Sequence, residues 1–244
     1  MGESAKRNAA AVERLDEITR RLRRECPWDR EQDERSIVPH TVEEAYELAD
    51  AAGRDDDARM LDELGDVLFQ VHFLALLLEE RGAGDLAAVA ESCREKLIRR
   101  HPHVFGEAEA ESATQVLQNW DRIKQQEEGR GDGEPFADVP ENLPALLYAR
   151  KLQRRAASAG DEEADPADAA RALRQSGDDL AGLLEQGESA APAADPAERR
   201  RVEIALGELL FAAVDVARRL RADPELALRA AAERFRELKD SGAP

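Results

Sequence analysis

The sequence predicts a protein built entirely from α-helices. Ala, Leu, Glu and Arg dominate, whereas aromatic residues make up only 4% of the 244 positions, and this composition favours helices over strands. Apolar residues recur three or four positions apart along much of the chain, as they do on one face of a helix. No segment longer than about four residues alternates strictly between apolar and polar residues, so we expect no sheet.

The first two predicted helices lie on either side of an irregular connector. The first runs from about Ala10 to Arg24, and Pro27 ends it because proline disfavours helical geometry at the residue before it. The connector extends to Pro39. The second helix is predicted to run from Thr41, a favourable N-cap, to Gly53, a favourable residue at a helix end.

Three further helices are predicted before a stretch rich in Gly and Pro. Acidic residues suit the positive end of the helix dipole, and Asp55 opens a helix that continues to about Glu80. A fourth helix runs from Leu86 to about Arg100 and is ended by His101 and Pro102. A fifth runs from about Thr114 to Glu128, and the Gly/Pro-rich linker follows it.

The C-terminal part of the chain weakly repeats the N-terminal pattern. Its predicted helices run from Leu143 to Ala159, Asp168 to Leu184, Ala197 to Arg221 and Pro224 to Lys239. The segment Ile204–Phe211 resembles Leu61–Phe69, and each copy precedes more helix, a short break and another helix. We therefore expect a duplicated helical unit.

Composition also restricts the class of partner and the compartment. The formal net charge of −18 disfavours binding to nucleic acid and to anionic membranes. The longest apolar stretch, Val71 to Leu78, is too short to cross a bilayer, and the charged N-terminus predicts no secretion signal. Cys26 and Cys93 lack the spacing of a disulfide framework or a metal site. We therefore expect a cytoplasmic protein with reduced thiols and with neither nucleic acid nor membrane as a partner.

Five acidic residues are predicted to converge from two adjacent helices. Glu43, Glu44 and Glu47 lie on the second predicted helix, and Glu63 and Asp66 lie on the third. Residues three or four apart share a helix face, so antiparallel packing would bring the two groups together. Mg²⁺ prefers oxygen ligands in proteins. The spacing therefore predicts a patch of four or five carboxylates that suits Mg²⁺ and phosphate oxygens.

Each acid also has an explanation that involves no metal. Acidic side chains on helices are usually solvated, and the segment from Thr41 to Glu44 fits a capping box. The third helix argues against this explanation for the whole set, because it is apolar on two sides and is expected to be central and buried. Clustered, partly buried carboxylates repel one another unless a cation compensates. Gly65 further indicates a close helix approach or a ligand.

Further motifs follow in a fixed order between about Ala10 and Ala157. They are CPWD at Cys26–Asp29 with Gln32, EEAYE at Glu43–Glu47, ELGD at Glu63–Asp66, KLIRRHPHVFG at Lys96–Gly106, Asn119-Trp120 with Lys124, and Leu143–Leu146 with Lys151–Gln153, Arg155 and Ala156. A single EExxE motif would be weak evidence. The ordered set closely resembles the MazG family of nucleoside triphosphate pyrophosphohydrolases.

This resemblance implies an all-α fold with a four-helix-bundle-like unit, a tight homodimer and the hydrolysis of a (d)NTP to a (d)NMP and pyrophosphate. It implies Mg²⁺ as the cofactor, with Mn²⁺ able to substitute, held by Glu44, Glu47, Glu63 and Asp66. Glu43 would position or deprotonate the attacking water, although the division of roles between Glu43 and Glu44 stays open. Such an enzyme would remove surplus or damaged nucleotides.

Basic and aromatic residues are candidates for substrate binding. Lys96 and Arg100 share a helix face and could neutralise the triphosphate, but they fit a solvated basic face equally well. The resemblance implies that Trp120 stacks on the base, with Asn119 and Lys124 nearby. Without the family, packing in a core would be the favoured role of Trp120.

The chain departs from the family pattern at several positions. Asp33 and Glu34 stand where the family usually has Thr-His, and His40 replaces an expected Tyr. These changes bear on specificity more than on activity, because none alters the acidic residues. Trp28 is expected to have a structural role at the start of the second helix.

The second repeat lacks part of the acidic set. Ala205 occupies the place of Glu63, and Glu208 that of Asp66. Residues 1–128 are therefore expected to form the catalytic domain, 129–142 a linker, and 143–244 a degenerate, inactive repeat that serves dimer packing or regulation.

Two alternatives compete with a broad (d)NTP pyrophosphohydrolase. One is a narrower enzyme of the same fold, which acts on dUTP, dCTP or phosphoribosyl-ATP. The CPWD and RRHPHVFG segments favour the broader enzyme. The other is a helical dimerisation or regulatory module without activity, which the five intact acids argue against.

Overall fold

The computed structural model describes residues 2–127, 136, 139–158, 165–186 and 196–242, and this part of the chain is all-α, without a strand. The helices are α1 (Glu3–Glu25), α2 (Glu34–Gly53), α3 (Asp57–Glu80), α4 (Leu86–Arg100), α5 (Pro102–Phe105), α6 (Ala113–Glu127), α7 (Ala145–Ser158), α8 (Pro166–Gln186), α9 (Pro196–Arg219) and α10 (Pro224–Asp240). A short 3-10 turn, Asp29–Glu31, separates α1 from α2. The predicted fold class is therefore confirmed.

The chain divides into two compact units, Met1–Glu109 and Ala110–Pro244. The first contains α1 to α5, and the second contains α6 to α10. The predicted linker, 129–142, lies largely outside the described residues, so the predicted domain boundaries and the duplication stay predictions. No helix of the described ranges combines the length and the apolar character that a membrane span needs.

Helix α2 begins two turns earlier than predicted. The Asp33 side chain accepts a hydrogen bond from the Ser36 amide, while the Ser36 hydroxyl oxygen accepts one from the Asp33 amide. This capping box starts the helix before Pro39, which lies inside it and costs one backbone hydrogen bond. The prediction that Thr41 is the N-cap is therefore wrong. Because Glu44 lies well inside the helix, a capping role does not explain it.

Helices α2 and α3 form the core of the first unit. Ile37 of α2 packs with Phe73 and Leu77 of α3, and all three side chains are buried. Phe69 packs against this cluster, with its ring centroid 5.9 Å from that of Phe73. These contacts fix the register of an antiparallel helix pair. The register determines which residues of α3 lie opposite Glu44, which follows Ile37 by two turns of α2.

A second face of α3 stays exposed in the chain. Leu61 is 75% exposed, Leu64 47% and Leu68 40%. The sequence pattern correctly indicates a helix that is apolar on two sides, but only one of those sides is buried within the first unit. The other side forms an apolar seam on the surface, defined here as Leu61, Leu64, Leu68 and Val71.

The second unit is built around α9. The buried residues of this unit include Ala169 of α8 and Val214 of α9. The side-chain amide of Gln153 on α7 donates a hydrogen bond of 2.8 Å to the backbone carbonyl of Phe211 on α9. An ion pair joins Arg150 of α7 to Asp223, the N-cap of α10.

Candidate metal centre

The α2–α3 pair brings three carboxylates together. Glu44 lies two turns after Ile37 on α2, and Asp66 lies two turns before Phe73 on α3, so the core contact places the two acids at the same level. Glu44, Glu63 and Asp66 each offer one oxygen, and these oxygens lie within 4.8 Å of one another. Glu63 is buried, Glu44 is half-buried and Asp66 is exposed. The predicted convergence therefore occurs for these three residues.

The electrostatics couple Glu44 to all four other acids. Its pKa is raised above its ordinary value, first by loss of hydration and then by repulsion from Asp66, Glu47, Glu63 and Glu43. Burial and like charge both disfavour the carboxylate form. A cation at this point would offset both effects, and three hard oxygen donors suit a divalent ion such as Mg²⁺. The residues present therefore fit the metal that the sequence predicts.

The remaining two acids lie on the exposed side of α2. Glu47 is exposed and lies one turn beyond Glu44. Glu43 is also exposed, and its Oε2 lies 3.6 Å from Nδ1 of His40. Neither belongs to the group of three. The predicted metal-binding role of Glu47 and the catalytic role of Glu43 stay predictions.

One cation at the edge of the cluster was missed from the sequence. Arg59 of α3 lies 3.6 Å from Glu63 and 3.1 Å from Asp50 of α2. Its guanidinium reduces the repulsion at the buried carboxylate, although one charge does not offset the whole set. The i,i+4 spacing of Arg59 and Glu63 could have indicated the pair, whereas the contact with Asp50 needs the helix packing.

An open groove of about 460 Å³ runs beside the carboxylates. Its lining consists of Ala58, Arg59, Leu61, Asp62, Gly65 and Asp66. A Cβ added at Gly65 would meet nothing within 4 Å. Among the described residues no helix approaches Gly65 closely, so of the two expected roles only the space for a ligand stays a prediction.

The predicted substrate-binding residues lie on α4 and α6. Lys96 is exposed and Arg100 is half-buried, both on the last turns of α4 in the first unit. Asn119, Trp120 and Lys124 are half-buried on α6, which belongs to the second unit. Contact of these residues with a nucleotide stays a prediction.

The second unit offers no comparable cluster in the described part of the chain. Within those residues, the group formed by Glu44, Glu63 and Asp66 is the one set of three potential ligands that comes together. If the predicted duplication is correct, Ala205 of α9 corresponds to Glu63 of α3, and the second unit lacks the counterpart of the buried carboxylate.

The fold and the site define an all-α protein with a carboxylate centre suited to a divalent cation. Residues 32–105 match the MazG nucleotide pyrophosphohydrolase domain, and this range contains all five acids. The chain is 37% identical over 228 residues to a protein of Escherichia coli (strain K12) named nucleoside triphosphate pyrophosphohydrolase, covering 92% of this chain and 84% of that protein. The chain belongs to the MazG family.

Other relatives agree with this assignment. A Thermotoga maritima protein named nucleoside triphosphate pyrophosphohydrolase/pyrophosphatase MazG is 40% identical over 212 residues, covering 87% of this chain and 76% of that protein. A Mycolicibacterium smegmatis nucleoside triphosphate pyrophosphohydrolase is 35% identical over 143 residues, covering 57% of this chain and 44% of that protein.

Proposed function

We propose that this protein is a Mg²⁺-dependent hydrolase that converts a (d)NTP to a (d)NMP and pyrophosphate. The observation that carries the proposal is the approach of carboxylate oxygens from Glu44, Glu63 and Asp66 to within 4.8 Å of one another. The names of the relatives from Escherichia coli and Thermotoga maritima support the same reaction. Removal of surplus or damaged nucleotides in the cytoplasm is the role we assign to it.

The metal would be held by Glu44, Glu63 and Asp66, with Glu47 completing the set from the exposed side of α2. A bound Mg²⁺ would polarise phosphate oxygens and neutralise part of the substrate's charge. The protein's own part is to hold four carboxylates at fixed positions on two rigid helices, so that the phosphate chain meets a preformed site. Burial of Glu63 and its contact with Arg59 fix the innermost ligand.

The proton of the attacking water would pass to a carboxylate of α2. Glu43 is exposed, stands next to the cluster in sequence and lies 3.6 Å from His40, so it is available to accept a proton. Glu44 is the alternative, because it is half-buried and lies within the carboxylate cluster. The attack breaks one phosphoanhydride bond and releases pyrophosphate as the leaving group.

We infer that the enzyme acts as a homodimer. The apolar seam of α3 leaves Leu61 75% exposed and Leu64 47% exposed on the first unit. Large apolar surface on a helix of this kind is typical of association. The second repeat is proposed to be inactive and to serve packing or regulation, since it lacks the counterpart of Glu63.

The experiment that tests the proposal is product analysis with each common NTP and dNTP. We expect monophosphate and pyrophosphate in the presence of Mg²⁺ and neither product with EDTA. Diphosphate and phosphate would contradict the assigned bond. Turnover restricted to dUTP, dCTP or phosphoribosyl-ATP would replace the broad role by a narrow one. Absence of turnover by folded protein would favour a regulatory module.

A further inference from the structure

Trp28 presents a large aromatic surface to solvent. It is 50% exposed, although an indole normally loses most of its surface when its role is packing. It stands in the segment between α1 and α2, directly before the 3-10 turn. The expected structural role of Trp28 does not explain why half of the side chain stays uncovered.

The segment around Trp28 is held in place by other residues. Arg23 of α1 donates hydrogen bonds to the backbone carbonyls of Asp29 and Gln32, the latter at 2.9 Å. The Gln32 side-chain amide donates one of 2.8 Å to the carbonyl of Trp28. Arg23 is in turn fixed by Glu80 of α3 at 2.8 Å. These bonds use backbone carbonyls of the segment, among them that of Trp28, and none uses the indole ring.

A chain of contacts leads from the indole to the acidic site. The ring centroids of Trp28 and His40 are 6.1 Å apart, at an interplanar angle of 66°. Nδ1 of His40 lies 3.6 Å from Oε2 of Glu43. His40 precedes Glu44 by four residues on α2 and therefore shares its side of the helix. The aromatic pair thus stands one helical turn from the carboxylate cluster.

We propose that Trp28 and His40 form the binding site for the nucleobase, with the base stacked on the exposed indole. The inference rests on the proposed function, since it assumes that the phosphate chain of a nucleotide lies at the carboxylates. A pentose separates the base from the phosphates, so the base must rest on a surface displaced from the metal. The exposed indole of Trp28 provides a planar surface at such a displacement, and His40 meets it edge-on on the side towards the carboxylates.

The choice of ligand follows from the chemistry of the surface. Stacking of a base on an aromatic side chain is favourable and tolerates any base, because every base has a π-face. This property suits an enzyme with a broad range of (d)NTPs.

Fluorescence tests the inference directly, because the chain contains only two tryptophans. In Trp120→Phe the emission comes from Trp28 alone, and in Trp28→Phe it comes from Trp120 alone. Each variant is titrated with a nonhydrolysable α,β-methylene NTP and Mg²⁺, and separately with tripolyphosphate, which has no base. We expect saturable quenching of Trp28 by the nucleotide and little by tripolyphosphate. Unchanged emission of Trp28 under saturation would overturn the inference, as would equal quenching by tripolyphosphate.

Kinetics supply a second readout. Trp28→Leu is expected to raise KM for an NTP on the order of tenfold, the size typical of one lost stacking contact, with kcat nearly unchanged. Trp28→Phe should recover part of this loss, and inhibition by tripolyphosphate should be the same in all three proteins. Circular dichroism confirms folding of each variant. An unchanged KM in Trp28→Leu would contradict the inference.

The same experiments separate the two proposals. If the wild type does not hydrolyse any NTP but Trp28 is quenched by the nucleotide and not by tripolyphosphate, the proposed function fails and the base site stands. If the wild type hydrolyses NTPs while Trp28 variants behave like the wild type, the base site fails and the function stands. Quenching of Trp120 alone would place the base on α6.

Discussion

Replacement of Glu44 by Gln should stabilise the metal-free protein. Glu44 makes no ion pair within the described residues, so the change leaves no cation without its partner. Its carboxylate lies within 4.8 Å of those of Glu63 and Asp66. Each such pair repels by about 1 kcal/mol at the dielectric of water and by about 3.5 kcal/mol at an effective dielectric of about 20. Because Asp66 is exposed, the lower figure is the better guide.

Glu44→Gln removes two of the three pairs in this cluster, which predicts a gain of about 2 kcal/mol in the free energy of unfolding. The gain corresponds to a rise in melting temperature of roughly 4–8 °C. The assay is thermal unfolding at neutral pH in EDTA, followed by circular dichroism. Glu13→Gln, an equal change of charge at an exposed position of α1, is the matched control and should leave the melting temperature nearly unchanged.

Addition of Mg²⁺ should make the wild type more stable than Glu44→Gln, the reverse of their order without metal. A ligand at 100 times its Kd stabilises the folded state by about 2.7 kcal/mol, and the wild type should gain this while Glu44→Gln gains much less. Destabilisation of the metal-free protein by Glu44→Gln, or an undiminished response to Mg²⁺, would refute the assignment of Glu44 to a cation site.

Four further outcomes are expected. Because the pKa of Glu44 is raised in the folded protein, its carboxyl group holds a proton that the unfolded chain releases, so the stability of the metal-free protein should fall as pH rises above 4.5 through the folded pKa. The free energies of unfolding of the wild type and Glu44→Gln should therefore converge at acidic pH. A growing difference between them at acidic pH would contradict the predicted direction. Arg23→Lys should lower the free energy of unfolding in urea by about 1–3 kcal/mol, since the donors of lysine sit on a single nitrogen and cannot span Glu80 and the two backbone carbonyls as the guanidinium does. An unchanged urea midpoint would argue against this role of Arg23. Leu68→Glu should convert the proposed dimer to a monomer, as measured by light scattering. A variant that stays dimeric would exclude the apolar seam as the dimer interface. Lys96→Gln should raise KM for ATP at low salt more than it lowers kcat, whereas unchanged kinetics would assign Lys96 to a solvated face.

The sequence predicts the helices and the pairing of acids well, because both depend on local periodicity. The helix predicted from Leu86 to about Arg100 matches α4, whose end before Pro102 is a local signal. The convergence of Glu44, Glu63 and Asp66 could be predicted because i,i+3 spacing fixes the helix face.

The start of α2 was mispredicted for a physical reason. Pro39 and Thr41 are strong local signals for a boundary, yet the capping box of Asp33 and Ser36 outweighs them. Proline inside a helix costs one hydrogen bond and a steric adjustment, which packing of Ile37 in the core helps to offset. Sequence patterns within one helix do not include the stabilisation that this packing between helices supplies.

Contacts between distant segments could not be predicted. Arg59 meets Asp50 across two helices, and Trp28 meets His40 across the turn between α1 and α2. Both contacts depend on the relative placement of helices, which periodicity does not specify. The exposure of Trp28 supports the proposed role in base binding, whereas the sequence alone predicts a structural role.

The measurement that tests the account most directly compares ATP turnover by the wild type, Glu47→Gln and Glu208→Gln. Products are separated by chromatography with Mg²⁺ present. We expect AMP and pyrophosphate from the wild type and from Glu208→Gln at similar rates. In Glu47→Gln we expect a loss of at least about 100-fold, because the proposed Mg²⁺ site would lose a ligand. Full activity of Glu47→Gln, or its loss in Glu208→Gln alone, would contradict the assignment of the chemistry to the first repeat.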